Sequence, residues 1–311
     1  MIPMSKIKLG LVGIGKIARD QHLPVLATSP DFELVATASR NSNVDGVRGY
    51  RTIAEMLDGE PDLDAVSLCA PPGPRDEDAR LALARGLDVL LEKPPAASLG
   101  AARDLQRCTK KNVLVASWHS RHAPAVEPAR AWLAGRRLMA VEISWREDIR
   151  KWHPGQDWIL EPGGMGVFDP GINALSILTR IVDEPVVVER AELGIAANRQ
   201  APLTANLTLR SASGAAIVAG FDFLQRGAET WDIRLYSDAG ALVLSDGGAR
   251  LAIDGVEQTM NVVTHHEYKG VYRNFALRVR ARCTDCDLSP LELVADAMTL
   301  GLRTTLPDFA F

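Results

Sequence analysis

The fold turns on Lys6-Ile7-Lys8-Leu9-Gly10-Leu11-Val12-Gly13-Ile14-Gly15-Lys16-Ile17-Ala18, where an apolar run of strand length empties into a glycine loop and then a helical pattern. Glycine at 13 permits a tight turn, and glycine at 15 lets backbone N–H groups approach a pyrophosphate. Ala18 lets the helix pack close to the sheet. Glycines in an arbitrary turn are the plainer reading. It loses force because strand, G-x-G-x-x-A, helix and second strand follow in order. Gly13, Gly15, Lys16 and Ile17 are therefore candidates for holding a dinucleotide.

Outward from this loop, short apolar runs alternate with helical patterns. Strands are predicted at 6–12, 32–38, 65–69, 88–91 and 113–117, and helices at 17–27, 52–57, 76–84 and 99–110. That alternation specifies a parallel, doubly wound sheet. After Trp118 the pattern changes to helices at 125–133 and 170–181 among longer alternating strands at 139–149, 186–193, 205–210, 216–223, 231–237 and 241–245, with a last helix at 290–304. Turns such as Ser213-Gly214 and Asp238-Ala239-Gly240 join successive strands antiparallel. The fold class is α/β, with an N-terminal Rossmann-type doubly wound parallel sheet and a C-terminal α+β domain built on a large, mostly antiparallel sheet. The predicted domains are residues 1–122, dinucleotide-binding, and 123–311, for substrate binding and oligomerisation.

Composition limits the function. The 311 residues are 47% apolar and 24% charged, as in an ordinary globular protein. A net charge of -4 and a pI near 5.9 give no broad positive field for nucleic acid or anionic lipid. No run approaches the roughly 20 apolar residues of a membrane span, and the start runs straight into strand and glycine loop, so a cytoplasmic protein is expected. Cys283 and Cys286 form a C-x-x-C, but with no second pair or neighbouring His the pattern is too sparse to specify a metal.

The second strand ends Ala38-Ser39-Arg40, where an NAD-specific site usually carries Asp or Glu. A hydroxyl followed by a guanidinium suits a ribose 2′-phosphate, because Arg offers a planar fork of donors that keeps its charge. Ser39 and Arg40 thus point to NADP, preferred to or equal with NAD; a solvated loop arginine is the alternative.

Glu92-Lys93-Pro94 closes the fourth strand of the first domain. With the glycine loop it resembles the glucose-fructose oxidoreductase and inositol dehydrogenase (Gfo/Idh/MocA) superfamily. The likeness continues through Ala70-Pro71-Pro72, Ser117-Trp118-His119-Ser120-Arg121, Lys151-Trp152-His153-Pro154-Gly155-Gln156-Asp157-Trp158 and Gly164-Met165-Gly166-Val167-Phe168-Asp169-Pro170-Gly171-Ile172-Asn173. These strings look like the bacterial L-arabinose and D-galactose 1-dehydrogenases. The resemblance implies NAD(P)-dependent oxidation of an aldopyranose at C1 to the lactone, with Lys93 projecting toward nicotinamide and substrate. Cys69, Ala70, Pro71 and Glu92 join the cofactor set on the same ground. Many superfamily members carry Asp and His four residues apart where this chain has Asp169 and Asn173. Asn cannot be a general base, which leaves Asp169, or alternatively a desolvated Lys93, to take the O1 proton.

The residues themselves leave other roles open. Asp169 precedes Pro170 and could be a helix N-cap. Asn173, Ser176 and Arg180 could be a plain polar stripe opposite Ala174, Ile177, Leu178 and Ile181. Glu147 falls on the apolar face of Val141, Ile143, Trp145 and Ile149, so it needs a partner: sugar hydroxyls or an arginine. Trp152, His153 and Trp231 suit a sugar pocket, indole faces covering C–H patches while polar edges take hydroxyls. His119, at the exit of the first domain, is either a substrate donor or a cleft histidine already satisfied by the protein.

The expected partners are a small sugar and a second copy docked through the C-terminal sheet. A same-fold dehydrogenase for another polyol or sugar carbon, and a non-catalytic NADP-binding sensor, are the rival readings. Replacing Arg40 by Leu is expected to weaken NADP more than NAD in fluorescence titrations; equal losses for both would remove the 2′-phosphate contact.

Overall fold

The computed structural model describes residues 5–311, which divide into two compact units: 5–119 with 265–288, and 120–264 with 289–311. The sequence places the whole of 123–311 in one domain. Residues 265–288 pack with the first unit instead.

The first unit is built on a six-stranded, all-parallel sheet of order β3-β2-β1-β4-β5-β6. Its strands are β1 (Ile7–Val12), β2 (Phe32–Ala38), β3 (Arg48–Tyr50), β4 (Ala65–Leu68), β5 (Asp88–Glu92) and β6 (Leu114–Ser117). β4, β5 and β6 are buried at every residue, as strands covered on both faces must be. Strand order reverses between β1 and β4, which brings the loops after these two strands together at the carboxyl edge.

A π-helical turn, Ala18–His22, continues into α1 (Leu23–Ala27). The crossovers are α2 (Ile53–Gly59), capped by the Thr52 side chain, α3 (Pro72–Ala84), and α4 (Leu99–Cys108), capped by Ser98. α3 starts four residues before the predicted 76, because Pro72 is already set for the first helical turn.

The second unit holds a nine-stranded sheet of order β14-β13-β12-β11-β7-β10-β9-β8-β15. The strands are β7 (Leu138–Arg146), β8 (Val186–Ala196), β9 (Thr204–Ser211), β10 (Ala216–Asp222), β11 (Thr230–Ser237), β12 (Gly240–Ser245), β13 (Arg250–Ile253), β14 (Val256–Gln258) and β15 (Leu302–Leu306). All neighbours run antiparallel except β7 with β10 and β8 with β15. The helices of this unit are α5 (Val126–Leu133), α6 (Ile149–Trp152), α7 (Phe168–Ile181) and α9 (Ser289–Leu300); α8 (His266–Ala281) belongs to the first unit.

Three expectations need correction. The strand predicted at 139–149 leaves the ladder after Arg146, and Asp148 caps α6 by accepting from the Arg150 N–H at 3.0 Å. The helix predicted to 304 stops at Leu300, and 302–306 form an edge strand. Gly301 lies so close to Leu193 that a Cβ would meet its Cδ1 at 2.5 Å. Asp169 is no N-cap: α7 begins at Phe168 and places Asp169 inside its first turn.

The entry to α7 is set by Gly164 and Gly166. A Cβ on Gly164 would fall 2.2 Å from Ile159 O; Gly166 has φ +55°, and its Cβ would fall 2.1 Å from Pro202 O. Val167 N–H donates to Pro202 O at 2.7 Å, locking the turn that aims Asp169. Gly166→Ala is expected to cost roughly 3 kcal/mol. Gly214→Ala, at a positive φ in open space, should cost only about 1 kcal/mol. Equal urea midpoints for the two variants would contradict this packing.

Candidate functional site

In the first unit, every predicted cofactor residue except Glu92 is exposed or partly exposed, and each follows a strand of the parallel sheet. Gly13 follows β1, Ser39 and Arg40 follow β2, Cys69, Ala70 and Pro71 follow β4, and Lys93 follows β5. Gly13 has φ +87°, and a Cβ there would strike Ala70 N at 2.6 Å, so this glycine serves both the turn and the approach of the neighbouring loop. Gly15 differs: a Cβ on it would meet nothing within 4 Å. Packing within the protein does not require glycine at 15, whereas a dinucleotide pyrophosphate lying against the backbone would. The loop therefore fits an NAD(P) cofactor. Ala18 is fully buried, as close helix-to-sheet packing demands, while Lys16 is exposed and paired with Asp20. Ile17 is 37% exposed, an apolar side chain left at the loop. Arg40 is exposed and no acidic side chain ends β2.

Glu92 turns its side chain inward. It is 4% exposed, and its carboxylate accepts from Tyr268 Oη at 2.8 Å and the Lys93 N–H at 2.9 Å, with His22 Nε2 at 3.0 Å. Burial opposes its charge, but the His22 hydrogen bond and the positive charges of His22, His119 and Arg75 outweigh this and hold the carboxyl below the ordinary range. Burial, with the Glu92 charge beside it, pushes the Tyr268 phenol well up, so it remains a donor. On the far side of His22, Nδ1 lies 2.8 Å from Tyr272 Oη, which donates to Ser67 Oγ at 3.3 Å.

Arg75, 3% exposed, binds the loops themselves. Its guanidinium donates to Ala70 O at 2.8 and 2.6 Å, to Pro94 O at 2.6 Å, and to Glu92 O. Arg75 and the Glu92 network thus fix the backbone on both sides of Lys93, which is itself half-buried. His119 stacks on the Tyr268 ring at 5.3 Å and bonds through Nδ1 to Glu267. Cys286 is buried, and burial together with the Asp285 and Asp287 charges pushes its thiol up to about 12, while Cys283 is exposed.

The second unit gathers the predicted sugar-side residues. Glu147 is 7% exposed, and its partner is the Trp231 indole N–H, donating at 2.8 Å. His153 Nε2 lies 4.0 Å from Glu147 Oε1 and 3.7 Å from Asp169 Oδ2. Asp169 is 9% exposed on a helix whose first turn favours negative charge. Asn173, one turn along, is half-buried. It is not part of a solvent-facing stripe, since Ser176 on the same side is 1% exposed and donates back to Asn173 O at 2.7 Å.

Trp152, 43% exposed, meets Trp231 edge-on with centroids 5.8 Å apart. Its indole N–H donates to Glu229 Oε1 at 2.7 Å, and Glu229 also receives Lys151 and the Asp148 N–H. The result is two indoles at an angle, each held by a carboxylate, beside a His and two acids. Such a set can cover the apolar patches of a pyranose, bind its hydroxyls and take up a proton.

Sequence reading missed His22, Arg75, Glu229, Glu267, Tyr268 and Tyr272. Only the tyrosines had a visible signal: Tyr268, Val271, Tyr272, Phe275 and Ala276 form a helical apolar stripe, and all are buried. Glu92→Gln is expected to destabilise the protein by roughly 3 kcal/mol at neutral pH. Because the folded-state pKa is depressed, the native carboxylate's contribution is complete above its unfolded value of about 4.3 and is lost as pH falls through and below it. The gap between the two proteins in urea unfolding should therefore shrink with acidification; a gap independent of pH would show that Glu92 is not a buried anion.

The glycine loop and the sheet around it match the model of an oxidoreductase family with an NAD-binding Rossmann fold (Gfo/Idh/MocA) over residues 7–119. Over 310 residues the chain is 44% identical to a galactose 1-dehydrogenase of Pseudomonas fluorescens, covering 98% of this chain and 99% of the relative. A crystal structure of a D-galactose-1-dehydrogenase protein from Rhizobium etli superposes with a TM-score of 0.94 at 50% identity, covering 99% of each chain. A 3-ketoreductase from Actinomadura kijaniata, in complex with NADP and TDP-benzene, shares the fold at 19% identity, with a TM-score of 0.84 over 97% of this chain and 100% of that one. By its glycine loop, its parallel sheet and its near full-length similarity to these dehydrogenases, the chain belongs to the Gfo/Idh/MocA family of NAD-binding oxidoreductases.

Proposed function

We propose that this enzyme oxidises C1 of D-galactose, and of L-arabinose, to the lactone: the 1,5-lactone from a pyranose ring, the 1,4-lactone from a furanose. What carries this reading is the cluster of Asp169, Glu147 and His153 beside Trp152 and Trp231, in a chain similar along nearly its whole length to galactose 1-dehydrogenases. The two sugars share ring stereochemistry from C1 to C4 and differ by one hydroxymethyl group. A single apolar contact separates such substrates by about 1 to 3 kcal/mol, so one pocket takes both.

A bound NAD(P) supplies the hydride acceptor for C1. The residues supply the rest. Asp169 accepts the O1 proton, and the burial that limits its contact with water keeps this proton transfer inside the site. Asn173 and Glu147 bind sugar hydroxyls in the second unit, and Lys93 and His119 are the donors that the first unit offers. Glu92 acts as an anchor for Lys93 rather than as a cofactor contact. Ser39 and Arg40, at the end of β2 where no acidic residue stands, favour NADP at least equally with NAD.

Two copies pair through the open face of the nine-stranded sheet, where Val218 and Tyr236 are 49% and 36% exposed. Sedimentation at micromolar concentration tests this, a monomer being the contrary result.

NAD(P)H appearance with D-galactose and L-arabinose is the direct test of the reaction. Asp169→Ala is expected to lower kcat by roughly 10²- to 10⁴-fold while NADP binding is retained. Wild-type turnover in this variant would remove Asp169 as the base, and NADP binding without reduction by either sugar would remove the reaction.

A further inference from the structure

His153 follows the short helix α6, and its N–H is tied to Ile149 O at 2.8 Å. Its ring meets Phe223 edge-on, centroids 5.6 Å apart. The charged groups facing the ring include Asp169 from α7, at 3.7 Å, and Glu147 from the end of β7, at 4.0 Å. Their side chains are 12% and 9% exposed, against 21% for His153. Glu147 is held in place by the Trp231 indole, so its charge stays beside the imidazole. A proton taken up by Asp169 reaches bulk water poorly from such surroundings. Asn173, one turn along α7, has an amide that neither gains nor loses a proton. An imidazole does both near neutral pH.

We propose that His153 is the proton relay behind Asp169, an inference that rests on the reading that Asp169 accepts the proton of a sugar hydroxyl. As the C1–H bond breaks and its electron pair leaves as hydride for the bound nicotinamide, the O1–H bond breaks, its electrons form the C1–O1 double bond, and the proton joins Asp169 Oδ2. It then passes to His153 Nε2, and from the imidazolium to solvent. The sugar loses two electrons and two hydrogens; the cofactor takes the hydride and water the proton. The spacing of 3.7 Å is within the reach that tightens to a hydrogen bond as a reaction proceeds. The relay makes His153 a positioned proton carrier, distinct from a hydroxyl-binding side chain.

Two measurements test it. The first is an NMR titration of the His153 ring in the wild type and in Asp169→Asn. The midpoint is expected to fall by about one pH unit when the neighbouring negative charge is removed. An unchanged midpoint overturns the pairing. This arm needs no sugar, so it tests the pairing on which the relay depends even if D-galactose is not turned over, a result that would sink the proposed reaction separately.

The second is steady-state kinetics with D-galactose and NADP. His153→Ala, or His153→Gln if the alanine variant does not fold, is expected to lower kcat by about 100-fold with KM changed less than about threefold. Added imidazole should restore about tenfold of that loss to the alanine variant, in proportion to its unprotonated fraction. A raised KM with kcat unchanged, or no response to imidazole, overturns the relay and leaves His153 a sugar-binding group.

Discussion

A carboxylate in a protein interior persists only where donors and positive charge surround it, and Glu92 draws these from separate parts of the chain. His22 comes from the turn after the glycine loop, Tyr268 from α8, and the Lys93 amide from the chain next to it. Each donor ties one element to the end of β5. Arg75 adds a second tie, gripping the carbonyls of Ala70, Glu92 and Pro94 from α3. The lysine that the sequence marks as chemical thus sits on a backbone held from several sides by groups that face away from solvent.

That arrangement explains why α8 packs with the first unit although nearly 150 residues of the second precede it. Phe275 stacks on Phe32 at 5.6 Å, Tyr272 meets the same ring at 5.4 Å, and both tyrosines of the helix enter the polar network. The helix closes the apolar core under β1 and β2 and completes the donor set of Glu92. One element therefore provides both packing and electrostatic support, although the larger part of the second unit precedes it in the chain.

The second unit solves a similar problem with aromatic donors. Glu147 and Glu229 are both mostly buried, and each takes an indole N–H, from Trp231 and Trp152. The acids orient the rings, and the rings satisfy part of the acids. What remains of the polarity, with Asp169 and His153, is gathered on one side of α7, whose entry turn is dictated by two glycines without room for a side chain.

The sequence by itself determined the parallel sheet, because β1, the G-x-G-x-x-A loop and the alternating runs that follow are local signals of period and turn chemistry. It marked Glu147 because a carboxylate on an apolar strand face stands out from its neighbours, and Lys93, Asp169 and the tryptophans chiefly through strings that resemble the family's. It could not show what partners Glu147, since Trp231 is more than 80 residues away and meets it only through the pairing of β7 with β11. Nor could it show that Glu92 faces inward, that Asp169 lies within the helix rather than at its cap, or that 265–288 return to the first unit. Those facts depend on which distant groups desolvate one another, and only the tertiary structure decides that, because the cost of burying a charge is set by neighbours in space, not in sequence.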